Sequence, residues 1–208
     1  MNIYKLDNAL SLPDEWDSLA DCYFQRKKFL LHCQNWNHCN QRYYIVYDKD
    51  KLIAGAVVYT LALNLFTYYK FKLPVTMQIA GIPCSVSSPG LLGEPNNVAK
   101  LFKYVCSQER GLKLALNIDS DSGAHHKMFV GHTLPAIKFK NHFSSTDDYI
   151  KSLRADYRRR LDLINRKSSA LQFSESSCSR FNIEMYHQYI MVYEQSNAKL
   201  ERLEYRFF

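Results

Sequence analysis

The alternation of hydrophobic and polar residues is clearest between residues 42 and 66. Two runs of aromatic and β-branched residues flank a polar turn at 48–51, which is typical of an antiparallel hairpin with strands 42–49 and 51–66. Residues 71–80 (FKLPVTMQIA) have a similar composition, which predicts a further strand, and residues 112–118 (LKLALNI) are predicted to be a central strand.

Helical spacing of apolar residues predicts three helices, at residues 13–32, 96–109 and 177–195. The Gly-, Pro- and Ser-rich residues 81–95 are predicted to be a long loop, and residues 134–141 and 170–175 are predicted to be short strands. Because a hairpin coexists with strand–helix–strand order, the sequence predicts a mixed α/β fold with a mostly antiparallel sheet flanked by helices.

Residues 146–167 are predicted to form one basic helix. Serine, threonine and aspartate residues at 144–148 provide an N-cap and negative charge in the first turn. On a helical wheel, one side of this helix carries an apolar stripe formed by Leu153, Tyr157, Leu161 and Ile164. Arg160 lies inside the stripe, which predicts that its guanidinium is buried.

A buried Arg160 requires a negative partner, because an uncompensated charge in a protein core costs several kcal/mol. Two explanations stay open. Arg160 pairs with a core carboxylate, or it lines a cleft in which Arg160, Tyr157 and Lys167 meet a phosphate or carboxylate of a ligand. Arg154 and Arg158 lie on the outer face or its margins and are further candidates for anion binding, with an ordinary solvated face as the alternative.

The net charge of +7 is concentrated on the same helix. Residues 151–167 carry seven Lys and Arg residues against two Asp residues, a local net charge of +5. This concentration predicts an anionic ligand or partner, such as a phosphate, a nucleotide or an acidic polymer.

The cysteines and the N-terminus indicate an intracellular setting. The six cysteines form no C-x-x-C pair, and the adjacent His32 and Cys33, like His38 and Cys39, lack the spacing of common zinc sites, so we expect reduced thiols and no metal. No secretory signal pattern opens the chain, and the most hydrophobic segment, 52–66, is too short to span a bilayer. We therefore expect a cytoplasmic protein.

The common catalytic motifs are absent from the sequence, which has no P-loop, no G-x-G-x-x-G, no H-E-x-x-H and no G-x-S-x-G. His125 and His126, near Asp119 and Asp121, are a candidate acid–base or metal cluster, although adjacent histidines on a polar loop are usually solvent-exposed. Glu94 is a similar candidate.

Three segments together resemble a known family. Residues 43–66, 73–95 and 134–171 are similar to the GNAT-like acyltransferases related to the Fem peptidoglycan-bridge aminoacyltransferases and to bacterial peptidoglycan biosynthesis/recognition proteins. The family pattern Y-x-x-S-L-R-x-x-Y-R-R-x-L is matched by Tyr149, Ser152, Leu153, Arg154, Tyr157, Arg158, Arg159 and Leu161.

The resemblance implies a GNAT-type fold, usually in two tandem copies, with residues 1–178 as a GNAT-like domain and 179–208 as a helix and the start of a truncated second half. It also implies transfer of an acyl or aminoacyl group to an amine, by direct attack of the amine on a donor such as acetyl-CoA, another acyl-CoA or an aminoacyl-tRNA. The acceptor would be a cell-wall precursor. The nearest counterpart of the GNAT pyrophosphate loop, at 78–83, ends in proline with no helix predicted after it, so no CoA-binding residues are assigned.

Two other functions remain as alternatives. The first is a non-catalytic module that binds a small anionic ligand or an acidic partner through the basic helix 146–167. The second is nucleic-acid binding, which is disfavoured, except for tRNA, because the positive charge occupies one helix without an aromatic stacking platform.

Overall fold

The sheet is built around the predicted hairpin, which the structure confirms. In the computed structural model, β2 (Arg42–Asp48) pairs antiparallel with β3 (Lys51–Asn64). β1 (Asn2–Leu6) pairs antiparallel with β2, and β4 (Pro74–Ala80) pairs antiparallel with β3. The structure describes residues 1–64, 73–84, 86–118, 128–131, 139–172, 174–175, 177–197 and 201–208.

One parallel pair completes the described sheet. β6 (Leu112–Ala115) runs parallel to β4, and α2 (Pro95–Gln108) lies between them in the chain, as the crossover between parallel neighbours requires. The described strands have the order β1-β2-β3-β4-β6. This confirms the mixed α/β fold with a mostly antiparallel sheet. The strand predicted at 112–118 is present as β6, which among the described strands is last in the order rather than central.

The predicted loop at 81–95 contains a strand. β5 (Leu91–Gly93) pairs antiparallel with β3, where Gly55 lies opposite Leu92. Three residues are too few for the period-2 pattern to stand out from the surrounding glycines and prolines. The N-cap of α2 is Glu94.

Helices cover both faces of the sheet. Successive residues of β2 and β3 point to opposite sides, so each of these strands contributes side chains to both faces. On one face, Tyr44, Val46 and Val58 pack against the apolar side of α2. On the other, Tyr43 and Val57 form a second cluster with Trp16 and with residues of α1 (Lys27–Trp36). Both clusters contain residues with no exposed surface, so β2 and β3 form the middle of the core.

The prediction of a single helix at 13–32 is wrong. The chain forms 3₁₀ turns at Asp14–Leu19 and Tyr23–Gln25 before α1 begins. The Gln25 side-chain oxygen accepts hydrogen bonds from the backbone N–H groups of Asp21 (2.7 Å) and Cys22 (3.3 Å), and Asp17 Oδ1 accepts from Lys27 N at 2.7 Å. These side chains replace the carbonyl partners that a continuous helix would supply.

The C-terminal helix α5 (Ile183–Gln195) is shorter than the predicted 177–195. It begins after Asn182, whose side chain accepts a hydrogen bond from Met185 N at 3.0 Å. Residues 178–180 form a separate 3₁₀ turn, and Tyr205–Phe207 form another. None of the described helices is long and apolar enough to cross a membrane.

The chain divides into two compact units, Met1–His132 with Asn182–Phe208 and Thr133–Phe181. This division differs from the predicted boundary after residue 178, since α5 and the C-terminal residues belong to the unit that contains the sheet. The assignment of residues 179–208 to a second GNAT-like half stays a prediction.

In the second unit, the predicted helix 146–167 is two helices, α3 (Thr146–Ser152) and α4 (Ala155–Lys167). The predicted cap is confirmed, since Ser145 Oγ accepts from Asp148 N at 3.1 Å. Leu153 and Arg154 are extended and separate the helices. Arg158 Nη1 donates to the carbonyl oxygens of Lys151 (3.0 Å) and Leu153 (2.7 Å), so the end of α3 has partners for its carbonyl groups.

The two short strands predicted beside this region are not found in the described residues. Residues 139–141 form no strand, and the remainder of the predicted strand 134–141 lies outside the described residues. Residues 171, 172, 174 and 175 also form no strand, and a turn occupies 168–170. The described part of the second unit therefore contains helices and turns.

A buried ion pair joins the sheet to the end of α2. Arg42 on β2 and Glu109 after α2 are 7 % and 8 % exposed, and Arg42 Nε donates to Glu109 Oε1 at 3.0 Å. The Arg42 guanidinium also donates to Asn40 O (2.5 Å), to Thr60 Oγ1 (3.1 Å) and to Gln78 Oε1. The Arg42 side chain thus links three strands and one helix.

Glu109 is held in its ionised form by these neighbours. Burial by itself raises the pKa of Glu109, but hydrogen bonds from Arg42 and Tyr44, together with the charges of Arg42 and Lys5, lower it below its ordinary value. Tyr44 Oη donates to Glu109 Oε1 at 2.5 Å, and Lys5 Nζ lies 3.3 Å from the same oxygen. One oxygen of this buried carboxylate, Oε1, is therefore in contact with Arg42, Tyr44 and Lys5.

Replacing Glu109 by glutamine should destabilise the protein by about 2–4 kcal/mol at neutral pH, because Arg42 loses its buried counter-charge. Because the folded pKa of Glu109 is lowered, its stabilising contribution is present above the unfolded pKa and is lost as the pH falls through the folded value. Urea unfolding of wild type and Glu109→Gln between neutral and acidic pH should therefore show a difference that shrinks as the pH falls.

The matched control is Glu94→Gln, which changes an exposed carboxylate at the other end of α2. This variant should unfold like wild type at every pH. An equal loss of stability in both variants, or a Glu109→Gln deficit that does not change with pH, would contradict the assignment of the buried pair.

Candidate functional site

Arg160 is exposed, so the prediction of a buried guanidinium on the basic helix is wrong. α4 has no buried residue, and the Arg160 guanidinium lies 5.8 Å from the centre of the Tyr157 ring. The break at residues 153 and 154 removes Leu153 from the predicted stripe. Of the remaining apolar side chains, Leu161 is half-buried, whereas Tyr157 is 55 % and Ile164 is 59 % exposed. Arg160 therefore needs no buried counter-charge.

The other candidate anion-binding residues are also exposed. Arg154 precedes the first turn of α4, Lys167 ends the helix, and Arg158 binds the carbonyl groups at the end of α3. In the part of the chain that the structure describes, no cation of α4 forms an ion pair. Anion binding by this helix stays a prediction.

In the counterpart of the pyrophosphate loop, at 78–83, polar groups already form hydrogen bonds within the protein. Gln78 Oε1 accepts hydrogen bonds from Thr60 (2.9 Å) and Arg42, and Gly81 N donates to Val57 O at 3.1 Å. These groups are therefore already used within the sheet and are not available to cofactor phosphates. The cluster of Asp119, Asp121, His125 and His126 lies outside the described residues.

Two sulfur atoms from distant parts of the chain lie side by side. Cys33 Sγ on α1 is 3.7 Å from Cys84 Sγ in the loop after β4, and Asn37 Nδ2 donates to Cys84 Sγ at 3.4 Å. Cys33 and Asn37 are four residues apart at the end of α1, which places both on one side of the helix. We call Cys33, Asn37 and Cys84 the thiol site.

The two thiols differ in exposure. Cys33 has no exposed surface, whereas Cys84 is half-buried. A reagent from solution can therefore reach Cys84 first. Cys39, which is buried beside Tyr59 and Ile79, belongs to a neighbouring apolar cluster.

Hydrogen bonding makes Cys84 the more acidic thiol. The hydrogen bond from Cys33 lowers the pKa of Cys84, burial raises it, the hydrogen bond from Asn37 lowers it, and the Glu201 carboxylate raises it, with a net shift below the ordinary value. The hydrogen bond to Cys84 and burial raise the pKa of Cys33. Burial also raises the pKa of Cys39 to about 12. When one of the two thiols loses its proton, Cys84 is therefore the one that carries the negative charge, with Cys33 as its hydrogen-bond donor.

Cys84 also has an uncommon backbone conformation and a position typical of ligand sites. Its φ angle is 67°, in the left-handed region that non-glycine residues rarely adopt. It lies four residues beyond Ala80, the carboxyl end of β4, and Leu116 N donates to Ala80 O at 3.0 Å, which brings the ends of β4 and β6 together. In open α/β sheets, ligands bind outside the carboxyl ends of the parallel strands.

Few features of the sequence indicate the thiol site. Cys33 and Cys84 are 51 residues apart, and only the length of the loop at 81–95, unusual for a simple connection, indicates a special role. In this structure all six cysteines are free thiols. Within the described residues, no group of three or more His, Cys, Asp or Glu side chains is arranged to hold a metal ion.

Comparison with known proteins finds no significant match among protein-family models, curated proteins or solved structures. The functional assignment therefore depends on the thiol site, on the order of the strands and on the resemblance in the sequence.

Proposed function

We propose that this protein is a GNAT-like N-acyltransferase in which the Cys84 thiolate receives the acyl group before it passes to an amine. The observation that carries this proposal is the half-buried Cys84, whose sulfur accepts a hydrogen bond from Asn37 and shares another with Cys33, beside the carboxyl ends of β4 and β6. A thiolate is the reactive form of cysteine, so these two donors increase the reactive fraction at neutral pH.

The proposed chemistry has two acyl-transfer steps, in place of the direct attack of the amine on the donor that the resemblance implies. Cys84 Sγ attacks the carbonyl carbon of a thioester donor, and the bond to the donor sulfur breaks, releasing the donor as a thiolate. The acceptor amine then attacks the S-acyl group, loses a proton and leaves as an amide, while the Cys84 thiolate departs. Asn37 Nδ2 and the Cys33 thiol, which donate to Cys84 Sγ, stabilise the departing sulfur in the second step.

The fold agrees with this proposal. The antiparallel β1–β4 followed by the parallel β6 gives the mixed, mostly antiparallel sheet that the sequence resemblance implies. The donor that the resemblance favours is acetyl-CoA or another acyl-CoA, and the acceptor that it favours is the amine of a cell-wall precursor. Because the amide of Gly81 is bonded to Val57 O, this mechanism assigns no role in phosphate binding to the loop at 78–83.

Incubation with acetyl-CoA should add one acetyl group to the protein, and peptide mass spectrometry should place it on Cys84. Adding a small primary amine should then regenerate the free thiol and release the N-acetyl amine. Cys84→Ser should abolish both reactions, and Asn37→Ala should slow acylation by about tenfold, because one donor to the thiolate is lost.

The matched control is Cys178→Ser, which removes an exposed thiol that lies in the other compact unit. It should acylate like wild type. If a panel of acyl-CoA thioesters labels Cys178 as fast as Cys84, or if Cys84→Ser still transfers acyl groups to the amine, Cys84 is not the acyl carrier.

A second candidate function is anion binding by α4. It is favoured by exposed, densely spaced cations that form no ion pair in the described ranges of the chain. Arg160 and Lys167 lie seven residues apart on one side of the helix, next to the exposed Tyr157 and Ile164. This arrangement offers two positive charges and an apolar surface to a ligand that carries phosphate or carboxylate groups.

Replacing Arg160 and Lys167 together by glutamine should weaken binding of a UDP-linked muropeptide by about tenfold or more, because two contacts to anionic groups are lost. Thermal unfolding should not change, since both side chains are exposed. Calorimetric titration at two salt concentrations provides the measurement.

Arg159→Gln with Arg166→Gln is the matched control, because it removes the same charge from a different side of α4. It should retain most of the affinity. Equal weakening by both pairs indicates a general charge effect, and tighter, strongly salt-dependent binding of tRNA would favour a nucleic-acid ligand instead.

A further inference from the structure

Acyl transfer uses one sulfur atom of the thiol site, yet the fold supplies two in near contact. The Sγ atoms of Cys33 and Cys84 are 3.7 Å apart, and a disulfide bond requires about 2.05 Å. An approach of less than 2 Å, about the amplitude of ordinary side-chain and loop motion, would therefore join them. Cys33 is fixed on α1, whereas Cys84 lies in a loop of irregular backbone.

The two sulfurs are arranged for successive roles. Cys84 is half-buried, accepts a hydrogen bond from Asn37 Nδ2 and shares a second one with Cys33, so an oxidant from solution can reach it and its thiolate form has two donors at hand. Cys33 has no exposed surface and contacts Cys84 from inside, so a small reagent reaches it through Cys84. This is the geometry of an attacking thiol with a resolving thiol behind it.

We propose that Cys33 and Cys84 form a reversible disulfide, and that the thiol site is a redox modification site whose oxidant is a small disulfide of the glutathione type. This inference does not rest on acyl transfer, because the disulfide forms without any acyl donor.

The reaction balances as a two-electron exchange. The Cys84 thiolate attacks one sulfur of oxidised glutathione, forming a mixed disulfide and releasing one glutathione thiolate. Cys33 loses its proton to solvent and attacks Cys84 Sγ, which breaks the mixed disulfide and releases the second glutathione as a thiolate that takes up a proton. Cys33 and Cys84 are oxidised to one disulfide, and oxidised glutathione is reduced to two thiols. Excess reduced glutathione reverses both steps.

Formation of this bond removes the thiolate that acyl transfer needs. The disulfide would also tie the loop after β4 to α1, two segments 51 residues apart in the chain. The proposed acyltransferase would therefore be inactive when oxidised and active when reduced.

Oxidised glutathione itself is the probe for this inference, used on the full chain without an acyl donor. Wild type should lose two hydrogens in intact mass, and proteolysis should give one peptide pair linked through Cys33 and Cys84. Cys33→Ser should stop at one glutathione bound to Cys84, because the resolving thiol is absent. Cys84→Ser should leave Cys33 reduced, because Cys33 is shielded from solvent.

Cys39→Ala is the matched control, since it removes a neighbouring buried thiol that makes no hydrogen bond to Cys84 in the described structure. It should form the Cys33–Cys84 disulfide at the wild-type rate. A disulfide between Cys33 and Cys39, equal glutathionylation of Cys178 and Cys84, or a wild type that stops at the mixed disulfide would overturn the inference. Disulfide formation without any Cys84 acylation would overturn the proposed acyl transfer alone.

Discussion

The buried pair of Arg42 and Glu109 is the interaction on which the rest of the sheet depends. A guanidinium inside a core is tolerated when every donor has an acceptor, and Arg42 finds its acceptors on β3, on β4, after α2 and at Asn40. Asn40 has a φ angle of 50°, so its carbonyl group lies in a turn that few residues adopt. The hydrogen bond from Arg42 holds this turn, which joins α1 to β2.

The same turn connects the ion pair to the thiol site. Asn37 caps the end of α1, its backbone N–H donates to Cys33 O at 2.7 Å, and its carbonyl group accepts from Cys39 N at 2.7 Å. Thr60 N on β3 donates to Cys39 O at 2.7 Å, which fixes the segment against the sheet. The Asn37 amide is thereby aimed at Cys84. The Asn37 amide also donates to Glu201 Oε1 at 3.2 Å. The negative charge of this nearby carboxylate raises the pKa of Cys84 and so disfavours the thiolate.

Local patterns in the sequence predicted the local structure. The hairpin β2–β3 and the cap at Ser145 follow from alternation and from side chains within three residues of their partners. The helix predicted at 13–32 failed because Gln25 and Asp17 bind backbone groups that a helix would use. The buried arginine was predicted on the wrong element. A helical wheel of 146–167 cannot detect the break at Leu153, which leaves Arg160 exposed. The arginine that is buried, Arg42, pairs with Glu109, which is 67 residues away in the chain. The thiol pair depends on the same kind of long-range contact.

Residue-resolved alkylation by iodoacetamide across a pH series measures directly whether the pKa of the Cys84 thiol lies below its ordinary value. The groups that face Cys84 are Cys33 and Asn37 from the end of α1 and Glu201 from the C-terminal segment. Cys84 should react with a midpoint below the ordinary value of a cysteine thiol, and Asn37→Ala should move this midpoint upward. A Cys84 midpoint at or above the ordinary value would contradict the central claim, because the hydrogen bonds to Cys84 would then not stabilise its thiolate.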